Sequence, residues 1–299
     1  MFSGLLLIDK PAGISSFEVV RRVRHLLKGR KVGHLGTLDP FATGLLPLVL
    51  GEATKLTPFL MTADKTYLAV VKLGEETDTQ DRTGKVVARW EQLPGPQEIR
   101  QVAARFVGKI EQIPPLYSAV HFQGERLYKL ARQGKAVQPQ PRQVVVYRLE
   151  IREIALPQVT LEVTCSKGTY IRTLAADLGR ALGCGAHLVA LRRLAVGPWR
   201  VDEALPFHGL DKFGKEDIRP RLIPLAECLP ELKPVYVGPT AARSLSQGRL
   251  VPAPGNGLEE TQQVRVLAGG QLVAVATVRQ RAGQLVLAPR RVFLTKAWE

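Results

Sequence analysis

Two stretches hold residues whose types and spacing could do chemistry. GHLGTLDPFATGLLPLVLGEATKL, residues 33–56, carries one carboxylate, Asp39, among glycines, threonines and aliphatics. CSKGTYIRTLAADLG, residues 165–179, sets Tyr170 and Arg172 just after a glycine turn. Pro40 steers Asp39 away from helical geometry into extended chain, although Asp before Pro is also an ordinary turn residue. Arg172 stands at the start of a predicted helix, the end whose dipole prefers an acid, so a partner carboxylate or phosphate explains it better. An Arg172–Asp39 pair would hold the carboxylate ionised and lower its pKa through opposite charge and hydrogen bonds.

Other chemistries find little support. Neither a G-x-x-x-x-G-K-[ST] nor a G-x-G-x-x-G phosphate loop is present. The histidines at 25, 34, 121, 187 and 208 lack ligand spacing, so no metal site is expected. Cys165, Cys184 and Cys228 form no C-x-x-C pair and read as buried thiols. Glu75, Glu76, Asp78 and Asp81 could offer oxygen ligands to a cation, but the turn-rich ETDTQDRTG reads better as a solvated hairpin loop.

The elements that must position Asp39 and Arg172 follow from periodicity. GLLLIDK reads as a buried strand stopped by Pro11. Ser15 and Glu18 fit a capping box opening a helix over about 16–28, with Phe17, Val20, Val23 and Leu27 at helical spacing. After the glycine-rich Asp39 loop, LLPLVLG reads as a strand and Ala53 to Leu60 as a short helix. Strands at 66–74, KVVARW and about 143–154 surround a helix around 97–106. A further helix runs from about Tyr170 to Leu182 and stops at Gly183, before a strand at LRRLAVGPW. Strands with interspersed helices and no βαβ regularity predict an α+β fold on a mainly antiparallel mixed sheet. The proline-rich 220–240 reads as a linker, so domains are expected at 1–232 and 233–299, the second small and β-rich.

The 299 residues carry 42 Lys and Arg against 27 Asp and Glu, a net charge of +15 that favours a polyanionic partner. From His121 to Arg148, Arg126, Lys129, Arg132, Lys135, Arg142 and Arg148 face a single acid, Glu125. Arg126, Lys129 and Arg132 at i, i+3 and i+6 would share one side of a helix and are candidate phosphate contacts. No apolar run approaches a membrane span and the N-terminal GLLLI is too short for a signal peptide, so a cytoplasmic protein is expected.

Five blocks together carry a resemblance: LLLIDKPAGISSFEVV, KVGHLGTLDPFATGLLPLVLGEATK, KTYLAVVKLGEETDTQDRTG, PPLYSAVHFQGERLYKLARQGK and CSKGTYIRTLAADLG. In this order, over roughly residues 2–205, they resemble the TruB family of tRNA pseudouridine synthases, and the tail is similar, more weakly, to a PUA-type RNA-binding module. The resemblance implies the pseudouridine synthase fold and conversion of uridine to pseudouridine at tRNA position 55, in the TΨC loop, by base flipping and one aspartate. It implies Asp39 as the catalytic acid, Arg172 as its partner and Tyr67 stacking on the target base. His34 would fill the place the uridine leaves, Leu191 would wall the pocket, and Lys10 and Tyr170 would support it. Residues 115–142 would grip RNA. His121 stands where the family often has lysine. The implied enzyme needs no cofactor or metal, takes the tRNA T-stem-loop without a protein partner or membrane, and is a monomer. A non-catalytic RNA-binding or remodelling protein of the same architecture is the alternative from another class, disfavoured by intact Asp39, Tyr67 and Arg172. A guide-RNA-dependent relative is a third reading, disfavoured by the lack of long basic extensions.

Overall fold

The computed structural model describes residues 2–115, 117, 121–122, 125–126, 133, 137, 139–255 and 257–293. The first strands are β1 (Gly4–Lys10), β2 (Val32–His34), β3 (Thr43–Leu50) and β4 (Lys65–Leu73). A separate hairpin of β5 (Glu75–Thr77) and β6 (Val86–Arg89) precedes β7 (Gly108–Gln112). A second small hairpin, β8 (His121–Phe122) with β9 (Glu125–Arg126), lies before β10 (Arg142–Ala155) and β11 (Gln158–Cys165). Then come β12 (Ala186–Val196), β13 (Trp199–Arg200) and β14 (Leu205–Pro206). The main sheet runs β14-β1-β3-β12-β4-β11-β10-β7, with β2 added to β3 and β13 to β12. Among its described pairs, only β1–β14 and β3–β12 are parallel. This is the α+β fold expected, with β3, β12 and β4 at its centre.

Apolar pattern explains the elements. β1 and β3 bury almost every residue because helices and the second sheet cover both their faces. The helix Ser16–Leu26 starts where Ser15 Oγ accepts the Glu18 N–H at 3.1 Å. The reciprocal arm of a capping box is replaced by a Glu18–Arg21 ion pair. Val19, Val20, Val23 and Leu27 are buried, but Phe17 is 72% exposed. Phe17 falls roughly 100° round the helix from that stripe, so it faces solvent rather than the core. In the helix Ile171–Ala181, a Cβ on Gly179 would collide with the backbone of Gly185 and Ala186, which lets this helix lie close on β12.

The predicted linker is not loose. Leu5 and Ile223 exchange both backbone hydrogen bonds, at 3.0 and 2.8 Å, and Cys228 and Leu229 are fully buried. Its apolar residues, LIPLAECL, cover the outer face of β1 and β3. Beyond it, β15 (Lys233–Tyr236), β16 (Val251–Pro252), β17 (Gln263–Ala268), β18 (Gln271–Arg281) and β19 (Gln284–Val292) form a five-stranded sheet with the helix Pro239–Ser246. Arg126 lies in the short strand β9, not in a helix, while Lys129 and Arg132 fall outside the described residues. Among the described residues no helix is long and apolar enough to cross a membrane.

Candidate active site

Asp39 stands on the loop between β2 and β3, fastened from several sides. Ser16 Oγ donates to the Leu38 carbonyl at 3.1 Å and accepts the Leu38 N–H at 2.8 Å. The Pro40 carbonyl accepts from Gly13 N at 2.8 Å and from Lys10 Nζ at 3.3 Å. The fixed loop leaves the Asp39 side chain 31% exposed at the rim of an apolar wall.

Arg172 reaches it from the first turn of the Ile171 helix and is only 5% exposed. Its Nε lies 3.0 Å from Asp39 Oδ2 and its Nη2 donates to Oδ1 at 3.2 Å, a two-pronged pairing that fixes the carboxylate plane. Nη2 also donates to the Tyr117 carbonyl at 2.9 Å. Nη1 lies 3.6 Å from Asp81 Oδ2 and donates to the Thr79 carbonyl at 3.5 Å. Asp81 is buried, its Oδ1 accepting from Thr79 Oγ1 at 3.0 Å, Thr83 N at 2.9 Å and Thr83 Oγ1. Asp81 is therefore part of the site, not of a solvated loop. Its neighbours in the acidic cluster are engaged elsewhere. Glu75 pairs with Lys72 at 2.8 Å and Asp78 accepts the Lys85 N–H at 2.8 Å.

The electrostatics correct one expectation. Burial raises the Asp39 pKa above the ordinary carboxylate value, more than the Arg172 charge lowers it. Asp81 pushes it up further and Lys10 pulls it down, leaving a net upward shift. The physical reason is that two carboxylates share one guanidinium in a partly dry place. Lys10 is fully buried and donates to the carbonyls of Pro11 and Ile14, both at 2.8 Å, as well as Pro40. Burial brings its pKa down to about 8, with Asp39 opposing and Arg193 assisting.

The remaining predicted residues lie on β2, β4 and β12 and at the start of the Ile171 helix. Tyr67 on β4 packs against the cluster that holds Leu38, Phe41, Ile171 and buried Leu191. Burial raises the Tyr67 pKa, and Arg193 opposes it. Tyr170 caps the Ile171 helix, and the buried Gln112 amide takes both its backbone groups, Oε1 accepting at 2.9 Å and Nε2 donating at 3.2 Å. His34 ends β2 with its Nδ1 buried and without a hydrogen-bond partner. Burial, then Arg193, lowers its pKa and keeps the ring neutral. Of the three basic residues predicted to touch phosphate, only the Arg126 backbone is described, and Lys129 and Arg132 lie outside the described residues.

Sequence reasoning missed Asp81, Gln112, Ser16 and Arg193. A signal existed for two of them. Asp81 lies two residues from Thr79 and from Thr83, a spacing that lets the hydroxyls hold its carboxylate. Arg193 sits two residues from Leu191 on a strand and so shares its face. The arrangement offers one ionisable carboxylate at an opening, oriented by a cation and flanked by an aromatic and an aliphatic wall.

Comparison with known proteins agrees with that chemistry. The profile described as TruB family pseudouridylate synthase (N terminal domain) matches residues 24–171, and that of the tRNA pseudouridylate synthase B C-terminal domain matches 172–229. The chain is 43% identical to a tRNA pseudouridine synthase B of Chromohalobacter salexigens over 294 residues, covering 98% of this chain and 94% of that protein. It is 45% identical to one of Thiobacillus denitrificans over 293 residues, covering 98% and 96%. A solved Cbf5-Nop10-Gar1 complex contains a chain 28% identical to it, with a TM-score of 0.76 over 99% of this chain and 86% of that one.

Proposed function

The chain belongs to the TruB family of pseudouridylate synthases, and from that premise we propose that it isomerises the uridine at position 55 in the TΨC loop of tRNA. Asp39 is the single catalytic carboxylate in this reading. The reaction breaks the bond from ribose C1′ to base N1 and joins C1′ to C5. The C5 hydrogen is lost and N1 gains one, so no atom or electron is gained overall. One carboxylate must be held against the nucleoside while the detached base is enclosed. The observation that carries the reading is the two-pronged Arg172–Asp39 pair, backed by buried Asp81.

The other side chains take roles their positions favour. Eversion of the uridine costs a few kcal/mol of stacking, which the Tyr67 ring offsets on the enzyme side and His34 on the RNA side. A neutral His34 enters a stack more readily than a charged one. Leu191 and Tyr170 line the pocket, and Lys10 holds the Asp39 loop. Residues 115–142, with Arg126, Lys129 and Arg132, grip phosphates, as does the basic 233–299 as a PUA-like module on the 1–232 synthase domain. The enzyme works as a monomer, without a protein partner, in the cytoplasm.

The test uses a T-stem-loop transcript tritiated at uridine C5. Release of tritium follows turnover, and Asp39→Asn stops it while tRNA binding stays within a few-fold. Release at the normal rate in that variant removes Asp39 from the chemistry.

A further inference from the structure

Arg193 is only 1% exposed and, among the described residues, has no carboxylate within ion-pairing distance. A cation buried without a counter-ion is costly, and a methionine would fill much of the same space without that cost. The geometry shows what the guanidinium does there. On β12, Arg193 lies directly across from Tyr67 on β4 and, on the other side, from Gly44 on β3. Its Nε donates to the Leu45 carbonyl at 2.7 Å and its Nη2 to the Gly36 carbonyl at 3.1 Å. Gly36 and Leu45 bracket the loop that bears Asp39, so one rigid fork spans both ends of that loop. Gly44 has φ +101 and a Cβ there would collide with the Arg193 backbone, which brings β3 close enough for the fork to close. Its charge also opposes the upward pKa shift that burial gives Tyr67, its neighbour across the two strands.

We propose that Arg193 is a positioning residue that clamps both ends of the Asp39 loop to the strand carrying Tyr67, so that carboxylate and ring meet the everted nucleoside in one fixed geometry. The proposal rests on the roles given above to Asp39 and Tyr67. Arg193 touches neither the substrate nor the Asp39 carboxylate. It acts through two backbone carbonyls.

Arg193→Lys keeps the charge but lacks the fork that reaches both carbonyls, and Arg193→Gln keeps a donor without the charge. Each is compared with the unaltered protein in single-turnover tritium release at saturating T-stem-loop, in RNA binding and in melting temperature. Misplacement of a reacting group by about 1 Å lowers rates about 100-fold, and a loss of that order is expected in both variants with binding within about three-fold. Because Arg193 lies directly across from Tyr67 on the neighbouring strand, Tyr67→Phe combined with Arg193→Gln loses clearly less than the product of the single losses. Full-rate turnover in a folded Arg193 variant, or losses that simply multiply, overturns the proposal. So does a failure of both variants to fold, which would make Arg193 a residue of stability alone. Each of these outcomes leaves the Asp39 reading intact, whereas turnover in Asp39→Asn removes that reading directly.

Discussion

At the scale of single residues, the upward shift of Asp39 is informative, because burial makes the folded chain hold this proton more tightly than an ordinary carboxylate does. A carboxylate whose folded-state pKa exceeds its unfolded value binds its proton more tightly in the folded chain. Stability therefore falls as pH rises from the ordinary carboxylate range through the folded-state pKa. Ionised Asp39 is thus a cost to stability accepted for the chemistry. Asp39→Asn, which cannot ionise, should be at least as stable as the unaltered protein at neutral pH, with its advantage shrinking as pH falls through the folded-state pKa toward the ordinary carboxylate value. Urea midpoints of both proteins between pH 4 and 7 check this, and a variant less stable at pH 7 contradicts it. Asp81 supplies a second residue-scale prediction. Its charge raises the Asp39 pKa and competes for Arg172, so Asp81→Asn should move the acid limb of kcat/KM to lower pH. The maximal rate should fall as well, since Asp81 helps hold the guanidinium. An acid limb displaced to higher pH would show that Asp81 does not act on Asp39 through charge.

At the scale of elements, β1, β4, β10 and the Ser16 and Ile171 helices were legible to within a residue or two, since each has a clear period and a local stop. What stayed hidden depends on contacts distant in sequence. Phe17 looked like a core residue because helical spacing gives a stripe without saying how wide the covering surface is. Asp81 looked solvated because only the folded chain brings Arg172 to it, 91 positions on in the numbering. The proline-rich 220–240 looked like a linker because prolines mark the absence of regular structure, not the absence of packing. For the site, Asp39, Arg172 and Tyr67 could be placed through the family resemblance, while Arg193 could not, because its value lies in two backbone carbonyls that no side-chain pattern announces. Gly44 and Phe17 give the matching prediction. Gly44→Ala combines a left-handed φ with a collision against the Arg193 backbone between two central strands. It should destabilise by about 3 kcal/mol or more, whereas Phe17→Ser should stay within about 0.5 kcal/mol. Denaturant midpoints distinguish the two, and a mild Gly44→Ala would mean that β3 and β12 can part without loss.

At the scale of the whole molecule, the two sheets are not independent beads on a string. One apolar cluster joins Leu5, Leu7, Leu45 and Val49 of the main sheet to Leu267, Leu272, Val275 and Phe293 of the second. Lys55 reinforces the joint by donating to the Val292 carbonyl at 3.0 Å while standing over the Phe293 ring. A shared core couples the melting of its parts, because opening either sheet exposes apolar surface belonging to both. Phe293 is fully buried at that joint, so Phe293→Ala should cost about 3–5 kcal/mol. The loss should appear in one cooperative transition rather than as early melting of the tail alone. The coupling also bears on RNA binding, since a surface spread over both sheets keeps its phosphate contacts in register only if the sheets move as one. The net charge of +15 gives the scale of that surface. Salt titration of T-stem-loop binding reads it directly, because each phosphate contact to a duplex adds about 0.9 to the slope of log K against log salt. Neutral replacements at Arg126, Lys129 and Arg132 should lower that slope by about 2 to 3, leaving turnover at saturating RNA unchanged. A slope that stays where it was would move the RNA path off residues 115–142.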